Sequence, residues 1–351
     1  MREDSFSGGK ISYPDNIAFA YNPNHIVLSG VNASFVTVSF SGTKNISVEA
    51  SLLNGSADIF ISKFLQLVMG DNRSLGVSVN INSNGSNYSF TLLCINGSIN
   101  IGVRFGNIGS YTYDGSIGAY TRRVRWFKRF PFRVSLFAES NDTVLTYRYD
   151  SYGYSDEKGL SEGFNDIDPS ELVGSATNTA VLKVTPFVNQ STFDDTFDYT
   201  FHGLVQSITY VRLVVDESVE GHYFRWVDHA GQMQYFLFSR GTENTKVTES
   251  ETTEDEIEID GMYFGRINRP VEKTTTRDLR CCAVNLTDDE QDYVKTIVSS
   301  VKCDMYIGQR NGKEFWMPVN VKAGSFSVSE KENLQDYEIS VELPTSQTQT
   351  R

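Results

Sequence analysis

Gly159-Leu160-Ser161-Glu162-Gly163 has the G-x-S-x-G spacing of a nucleophile elbow, where a serine hydroxyl is presented for attack on a carbonyl from a tight strand-to-helix turn. That turn needs an apolar strand before the serine and an apolar helix after it. The flanks here, Ser155-Asp156-Glu157-Lys158 and Phe164-Asn165-Asp166-Ile167-Asp168, supply neither, so the segment reads as a loop. Glycosidase chemistry asks only for two carboxyls at a fixed separation, and Asp166, Asp168, Asp194 and Asp195 are candidates for such a pair. With 44 acidic residues in the chain, however, neighbouring acids arise by chance. The histidines, His25, His202, His222 and His229, form no H-E-x-x-H spacing and no short Cys/His cluster, and only His222 and His229 fall near one hairpin. Neither a G-x-x-x-x-G-K-[ST] loop nor a G-x-G-x-x-G turn is present. The expectation is a protein that is not an enzyme and has no metal and no cofactor.

Two charged stretches remain. Arg122, Arg123, Arg125, Trp126, Lys128 and Arg129 interleave cations with rings, a pattern that in isolation would track single-stranded nucleic acid by stacking and phosphate contact. Glu249 to Asp260 holds seven acids in twelve residues, among them Glu254, Asp255, Glu256 and Glu258, and reads as a solvated loop or a charged strand edge that resists wrong pairing. Identical subunits in a ring meet through unlike surfaces, so a basic patch on one copy can face an acidic segment on the next. These ten residues are therefore candidate subunit-interface residues.

The elements that must position them are mostly strands. The 351 residues exceed what one core usually supports and suggest two domains. Aromatics reach 13%, with 23 Phe and 18 Tyr, which favours strands over helices. The formal charge of −13 repels phosphate backbones, so nucleic acid is not an expected partner. There is no apolar run at the start to serve as a signal and none long enough to span a bilayer, so membrane insertion is not expected either. Cys94, Cys281, Cys282 and Cys303 make no C-x-x-C pair and read as reduced thiols in strands.

Residues 1–120 carry 6 basic and 7 acidic side chains while 121–351 carry 25 and 37, which marks two differently built parts. The fold expected is mostly β: two sandwich- or barrel-like domains over residues 1–155 and 175–343, with short covering helices at 57–69 and 288–300, a loop between about 152 and 174, and a loose polar tail over 344–351. Strands are expected around 17–21, 34–40, 46–50, 75–79, 89–94, 180–184, 192–199, 208–215, 279–284, 304–307, 315–321 and 336–343. His222–Val227 and Met233–Phe238 read as a hairpin apolar on both faces, so something must cover both. Thr287-Asp288-Asp289-Glu290 has the capping-box spacing, followed by the stripe Tyr293, Val294, Ile297 and Val298. Asn-x-Ser/Thr triplets, including those at Asn54, Asn84 and Asn285, read as Asn-rich turns rather than glycan acceptors.

Trp226 to Phe238, the capped helix, Phe315-Trp316-Met317-Pro318-Val319-Asn320-Val321 and Tyr337 to Leu343, together with Arg125-Trp126-Phe127-Lys128-Arg129-Phe130-Pro131-Phe132, resemble tail and baseplate structural proteins of tailed phages of gut anaerobes. The likeness covers roughly residues 120–343. It implies a distal-tail-like virion subunit, made in the host cytoplasm, that packs in a ring with copies of itself and joins other tail proteins such as tube, hub or receptor-binding parts. It implies no catalytic residues. The alternative expectation is a carbohydrate-binding or adhesion sandwich using Tyr111, Tyr113 or Tyr120 as sugar platforms, and after that a glycoside hydrolase.

Overall fold

Pairs of consecutive left-handed residues make the tightest turns in this chain. In the computed structural model of the protein, Ser7-Gly8, Asn54-Gly55, Asn84-Gly85, Asp260-Gly261 and Asn311-Gly312 all have positive φ at both residues, as a type I′ turn requires. Asn285 is also left-handed. The Asn-rich composition is thus spent partly on backbone geometry. The structure describes residues 1–98, 111–114, 119–138, 141, 143–149, 155–172, 179–185, 209–249, 252–322 and 334–350. The strand expected over 192–199, and Asp194, Asp195 and His202, lie outside the described residues.

Two compact units are formed, one of residues 1–126, 132–215 and 227–234, the other of 127–131, 216–226 and 235–351. The first unit begins with β1 (Arg2–Phe6), β2 (Gly9–Tyr13), β3 (Ile17–Phe19), β4 (His25–Ser29), β5 (Phe35–Ser41), β6 (Asn45–Ser51) and β7 (Ala57–Phe60). Helix α1 (Ser62–Met69), β8 (Ser74–Ser83) and β9 (Ser86–Ile95) follow. A four-stranded sheet, β1-β2-β4-β7, and a five-stranded one, β3-β9-β8-β5-β6, share a core that includes Ile11, Ile26, Leu28, Val38, Phe40, Val79 and Leu92, with Leu65 and Val68 of α1 packed into it. The helix is shorter than the expected 57–69. Residues 57–60 are taken up by the ladder with β4, where His25 faces Phe60 and Leu28 faces Ala57, so the helix starts only after that pairing ends.

The first unit continues with β10 (Tyr111–Asp114), β11 (Ala119–Phe127), β12 (Val134–Ala138), β13 (Val144–Tyr149), β14 (Ser155–Gly159), β15 (Gly163–Ile167), α2 (Pro169–Leu172), β16 (Thr179–Thr185) and β17 (Thr209–Asp216). These make a six-stranded sheet, β10-β11-β17-β16-β13-β14, and the pair β12-β15. The segment expected as an interdomain loop at 152–174 therefore carries β14, β15 and α2. Its glycines and carboxylates suggested irregular backbone, yet cross-strand pairs such as Phe137 with Phe164 order it.

The second unit takes β18 (His222–Val227) up to Trp226 and β19 (Met233–Phe238) from Tyr235, with β20 (Arg240–Glu249), β21 (Thr252–Ile259), β22 (Met262–Pro270), β23 (Glu272–Leu286), α3 (Asp288–Val294), β24 (Cys303–Arg310), β25 (Lys313–Val321) and β26 (Gln335–Thr350). Seven strands form one sheet in the order β19-β18-β24-β25-β26-β23-β20. Its two edge strands, β19 and β20, are consecutive in the chain with Ser239 alone between them, so the sheet is rolled until its edges meet there. Space is short around this corner: across the β18–β19 hairpin a Cβ on Gly221 would lie 2.4 Å from the Phe238 carbonyl oxygen, and one on Gly241 of β20 would lie 2.5 Å from the His222 ring.

Both faces of the hairpin β18–β19 are covered, as its sequence required. On one, α3 brings Tyr293 onto Phe236, and the Trp226 indole N–H donates to Thr296 Oγ1 at 2.8 Å. On the other, Tyr223 and Tyr235 pack with Phe130, Tyr306 and Trp316. The capping box at Thr287 forms, with Glu290 N–H donating to the Thr287 hydroxyl and Thr287 N–H to the Glu290 carboxylate. Residues 344–350, expected to be loose, belong to β26, whose Ser346, Gln347, Gln349 and Thr350 pair with β23. Main-chain hydrogen bonds order a stretch that has no apolar residue to announce it.

Candidate assembly surface

Of the residues that suggested hydrolytic chemistry, Ser161, Asp166 and Asp168 have structural partners, while Asp194 and Asp195 lie outside the described residues. Asp166 pairs with Arg73 at 2.5 Å, and Asp168 accepts hydrogen bonds from the Ser170 N–H and hydroxyl at the start of α2. Ser161 lies between two strands, β14 and β15, and its N–H donates to Asn165 Oδ1. Among the described residues no group of three or more His, Cys, Asp or Glu is arranged to hold a metal ion. Burial pushes the thiols of Cys94, Cys281 and Cys303 up to about 12, so they persist as thiols at neutral pH.

The basic candidates are dispersed by the fold. Arg122 is buried, donating to Gln232 Oε1 at 3.1 Å and Gln234 Oε1 at 2.8 Å. Gln234 in turn donates to the buried Asp228, which also accepts the N–H groups of Ala230 and Gln232. Burial holds the Asp228 carboxyl above the usual carboxylate range, against the pull of those donors and of Arg122. Trp126 is buried beside Phe132. Arg125 is half-buried and Arg123 exposed, while Lys128 and Arg129 both pair with Glu217, at 3.9 and 3.1 Å. Arg122 and Trp126 thus serve the interior of their unit.

The acidic candidates are brought together on β21, an edge strand of the two-stranded ribbon β21–β22, so of the two expectations the charged strand edge describes them and the loop does not. Glu249 faces Lys273 and Thr252 faces Pro270, the same register on both sides of residues 250–251, which lie outside the described residues; β20 pairs with β23 from Arg240 opposite Cys282 outward, and β21 pairs with β22 up to the turn at Asp260-Gly261. β20 has 10 residues and β21 has 8, so at about 3.3 Å each the two strands span roughly 33 and 26 Å. β26 flanks β23 only as far as Thr350 opposite Glu272, so β21–β22 stands beyond the sheet as two strands.

Cross-strand partners share a face, so the register assigns the paired residues of this arm to its two faces. One face carries Thr242, Asn244, Lys246, Thr248, Glu254, Glu256 and Glu258 opposite Arg266, Asn268, Thr274, Thr276 and Arg280, and Arg266 bridges Glu254 at 3.5 Å and Glu256 at 2.9 Å. The other face begins with Leu279 and Cys281, both in the core, and runs outward through Val247, Ile267, Ile257, Ile259 and Met262. Its charges are matched in pairs, Glu243–Arg277, Glu249–Lys273 and Asp255–Arg269. The core-side face of the rolled sheet therefore continues along the arm into solvent, where Val247 and Ile259 are each 55% exposed and Ile267 44%. In the sequence this was hidden, because the acids alternate with the apolar residues and dominate the composition.

A shorter projection repeats the pattern. In the hairpin β24–β25, Cys303 and Met305 share the face of Trp226 and Phe224, and that face continues to Ile307 and Phe315, both exposed. The opposite face holds Tyr306 and Trp316, with the Arg225 guanidinium 4.3 Å over the Trp316 ring and pairing with Asp304 at 2.9 Å. At its turn Arg310 directly opposes Lys313. No helix among the described residues is long and apolar enough to cross a membrane.

No family model and no curated protein matches this chain. A solved structure from work on host cell surface retention of a 1.5-MDa bacterial ice-binding adhesin aligns over 93% of each chain at 10% identity, with a TM-score of 0.15 that carries no argument.

Proposed function

We propose that this protein is a structural subunit that assembles with copies of itself, as a distal-tail-like component of a phage tail or tail tip, and that the arm of residues 240–282 is the part that reaches a neighbour. The observation that carries the assembling role is the apolar face of the arm. A ribbon that prolongs a core-facing surface into solvent exposes four apolar side chains on one side, Val247, Ile259, Met262 and Ile267, with Ile257 half-buried among them, which suits burial against another chain. The phage setting is supported by the resemblance of residues 120–343 described above. The carbohydrate-binding alternative draws nothing from Trp316, whose ring is capped by Arg225, and the side chains of Tyr111, Tyr113 and Tyr120 lie outside those described.

Light scattering of the purified chain across a hundredfold concentration range tests the assembling role. Discrete oligomers at the upper end, seen as rings by negative-stain microscopy, are expected. A monomer at every concentration would refute it.

A further inference from the structure

We infer that the acidic tip of the arm seats on the β24–β25 hairpin of a second copy, in a head-to-tail contact that uses two different surfaces of the same unit. This rests on the assembling role proposed above and names the surfaces that would carry it. The β21–β22 ribbon has five acids, Glu254, Asp255, Glu256, Glu258 and Asp260, against Arg266 and Arg269, a net −3. Its intramolecular pairs engage Glu254, Asp255 and Glu256, so the excess lies at Glu258 and Asp260, beside the exposed Ile259, Met262 and Tyr263.

The β24–β25 turn has the complementary character. Arg310 and Lys313 oppose each other across the ladder, an arrangement of like charges that disfavours the hairpin by itself. The two acids of this hairpin are engaged elsewhere, Asp304 by Arg225 and Glu314 by the Trp316 indole N–H at 2.8 Å. Next to the cations lie the exposed Ile307 and Phe315. Each surface is thus an apolar pair or trio edged by charge, with opposite sign on the two.

Register keeps these surfaces apart within one molecule. Asn320 of β25 pairs with Glu342, which pairs with Asp278 of β23, and this sets a common level for both projections. From it Lys313 lies seven residues outward along β25, whereas Tyr263, the partner of Glu258, lies fifteen residues outward along the arm. The offset of eight residues corresponds to roughly 25 Å, well beyond the reach of an ion pair. The acidic tip of one copy therefore meets such a basic turn on another copy, and because the two surfaces are unlike, the contact propagates into a ring or a filament.

The test is a charge-swap set on the full chain, followed by sedimentation velocity at about 0.1 M salt, where exposed charges a Debye length apart still interact. Glu254→Lys with Glu258→Lys leaves Arg266 its nearer partner Glu256; the matching pair is Arg310→Glu with Lys313→Glu. Each pair alone should weaken self-association at least tenfold, and the four changes together should restore it to within about threefold of the parent, with unchanged far-ultraviolet circular dichroism throughout. If the parent assembles and Arg310→Glu with Lys313→Glu assembles equally well, this contact is wrong while the assembling role stands. If the parent stays monomeric, the assembling role fails and this contact with it.

Discussion

Replacing Asp228 by alanine should be among the most damaging single changes in the first unit. Asp228 accepts the N–H groups of Ala230 at 3.0 Å and Gln232 at 2.9 Å and the Gln234 side-chain amide at 2.6 Å, all buried. A buried donor left without an acceptor costs about 1–3 kcal/mol, and alanine strands three of them, so with partial relaxation the loss should be about 3–5 kcal/mol. Gln234 also loses the anchor that turns its Oε1 toward Arg122, which is left with a buried charge less well compensated. At about 2–4 °C per kcal/mol for a unit of this size, the melting transition of the first unit should fall by about 10 °C in calorimetry. The pH dependence has a definite sign. The folded carboxyl titrates above its unfolded value, so the stability that this group contributes is fully present below the unfolded pKa and is lost as pH rises through the folded one. The uncharged Asp228→Asn lacks that dependence, and its deficit relative to the parent should be larger near pH 4 than at pH 7. A shift under about 3 °C for Asp228→Ala, or an Asp228→Asn deficit that grows with pH, would refute the reasoning.

Further outcomes follow from particular contacts. Gly221 has φ +134° and a Cβ there would meet the Phe238 carbonyl at 2.4 Å, so Gly221→Ala should destabilise the second unit by more than about 3 kcal/mol, whereas Gly261→Ala, also left-handed but in open space, should cost about 1 kcal/mol in denaturant melts. Thr287→Ala removes the cap of α3 and should cost about 1 kcal/mol in the same assay. Of the four thiols only Cys282 is not fully buried, so a colourimetric thiol reagent should titrate at most one, slowly, in the native protein and all four in denaturant.

How much of this was readable beforehand depended on whether the signal was local. The capping box at Thr287, the turn at Asn311-Gly312 and the doubly apolar hairpin of Tyr223 and Phe236 were legible because each is fixed by neighbours in sequence. Long-range pairing was not. Ile59 and Phe60 fit a helical stripe as well as they fit a strand, and only the distant partners Ile26 and His25 decide between the two. The acidic segment looked featureless because Glu254 and Glu256 find Arg266 twelve and ten residues away, across a turn, and because Ile257 and Ile259 gain meaning only once Leu279 and Cys281 are known to share their face. Arg122 and Trp126 shared a charged, aromatic run with Arg129, and nothing local shows that the first two turn inward while the last faces solvent.

The rolled sheet has a mechanical corollary. β23 is at once a strand of the seven-stranded sheet and, through Val271, the continuation of β22 of the ribbon. Tension applied at Asp260-Gly261 along the ribbon passes into the β23–β26 ladder in shear, loading its hydrogen bonds between Glu272 and Leu286 together instead of peeling them one at a time. A pull at the far end is therefore shared along the length of the β23–β26 ladder.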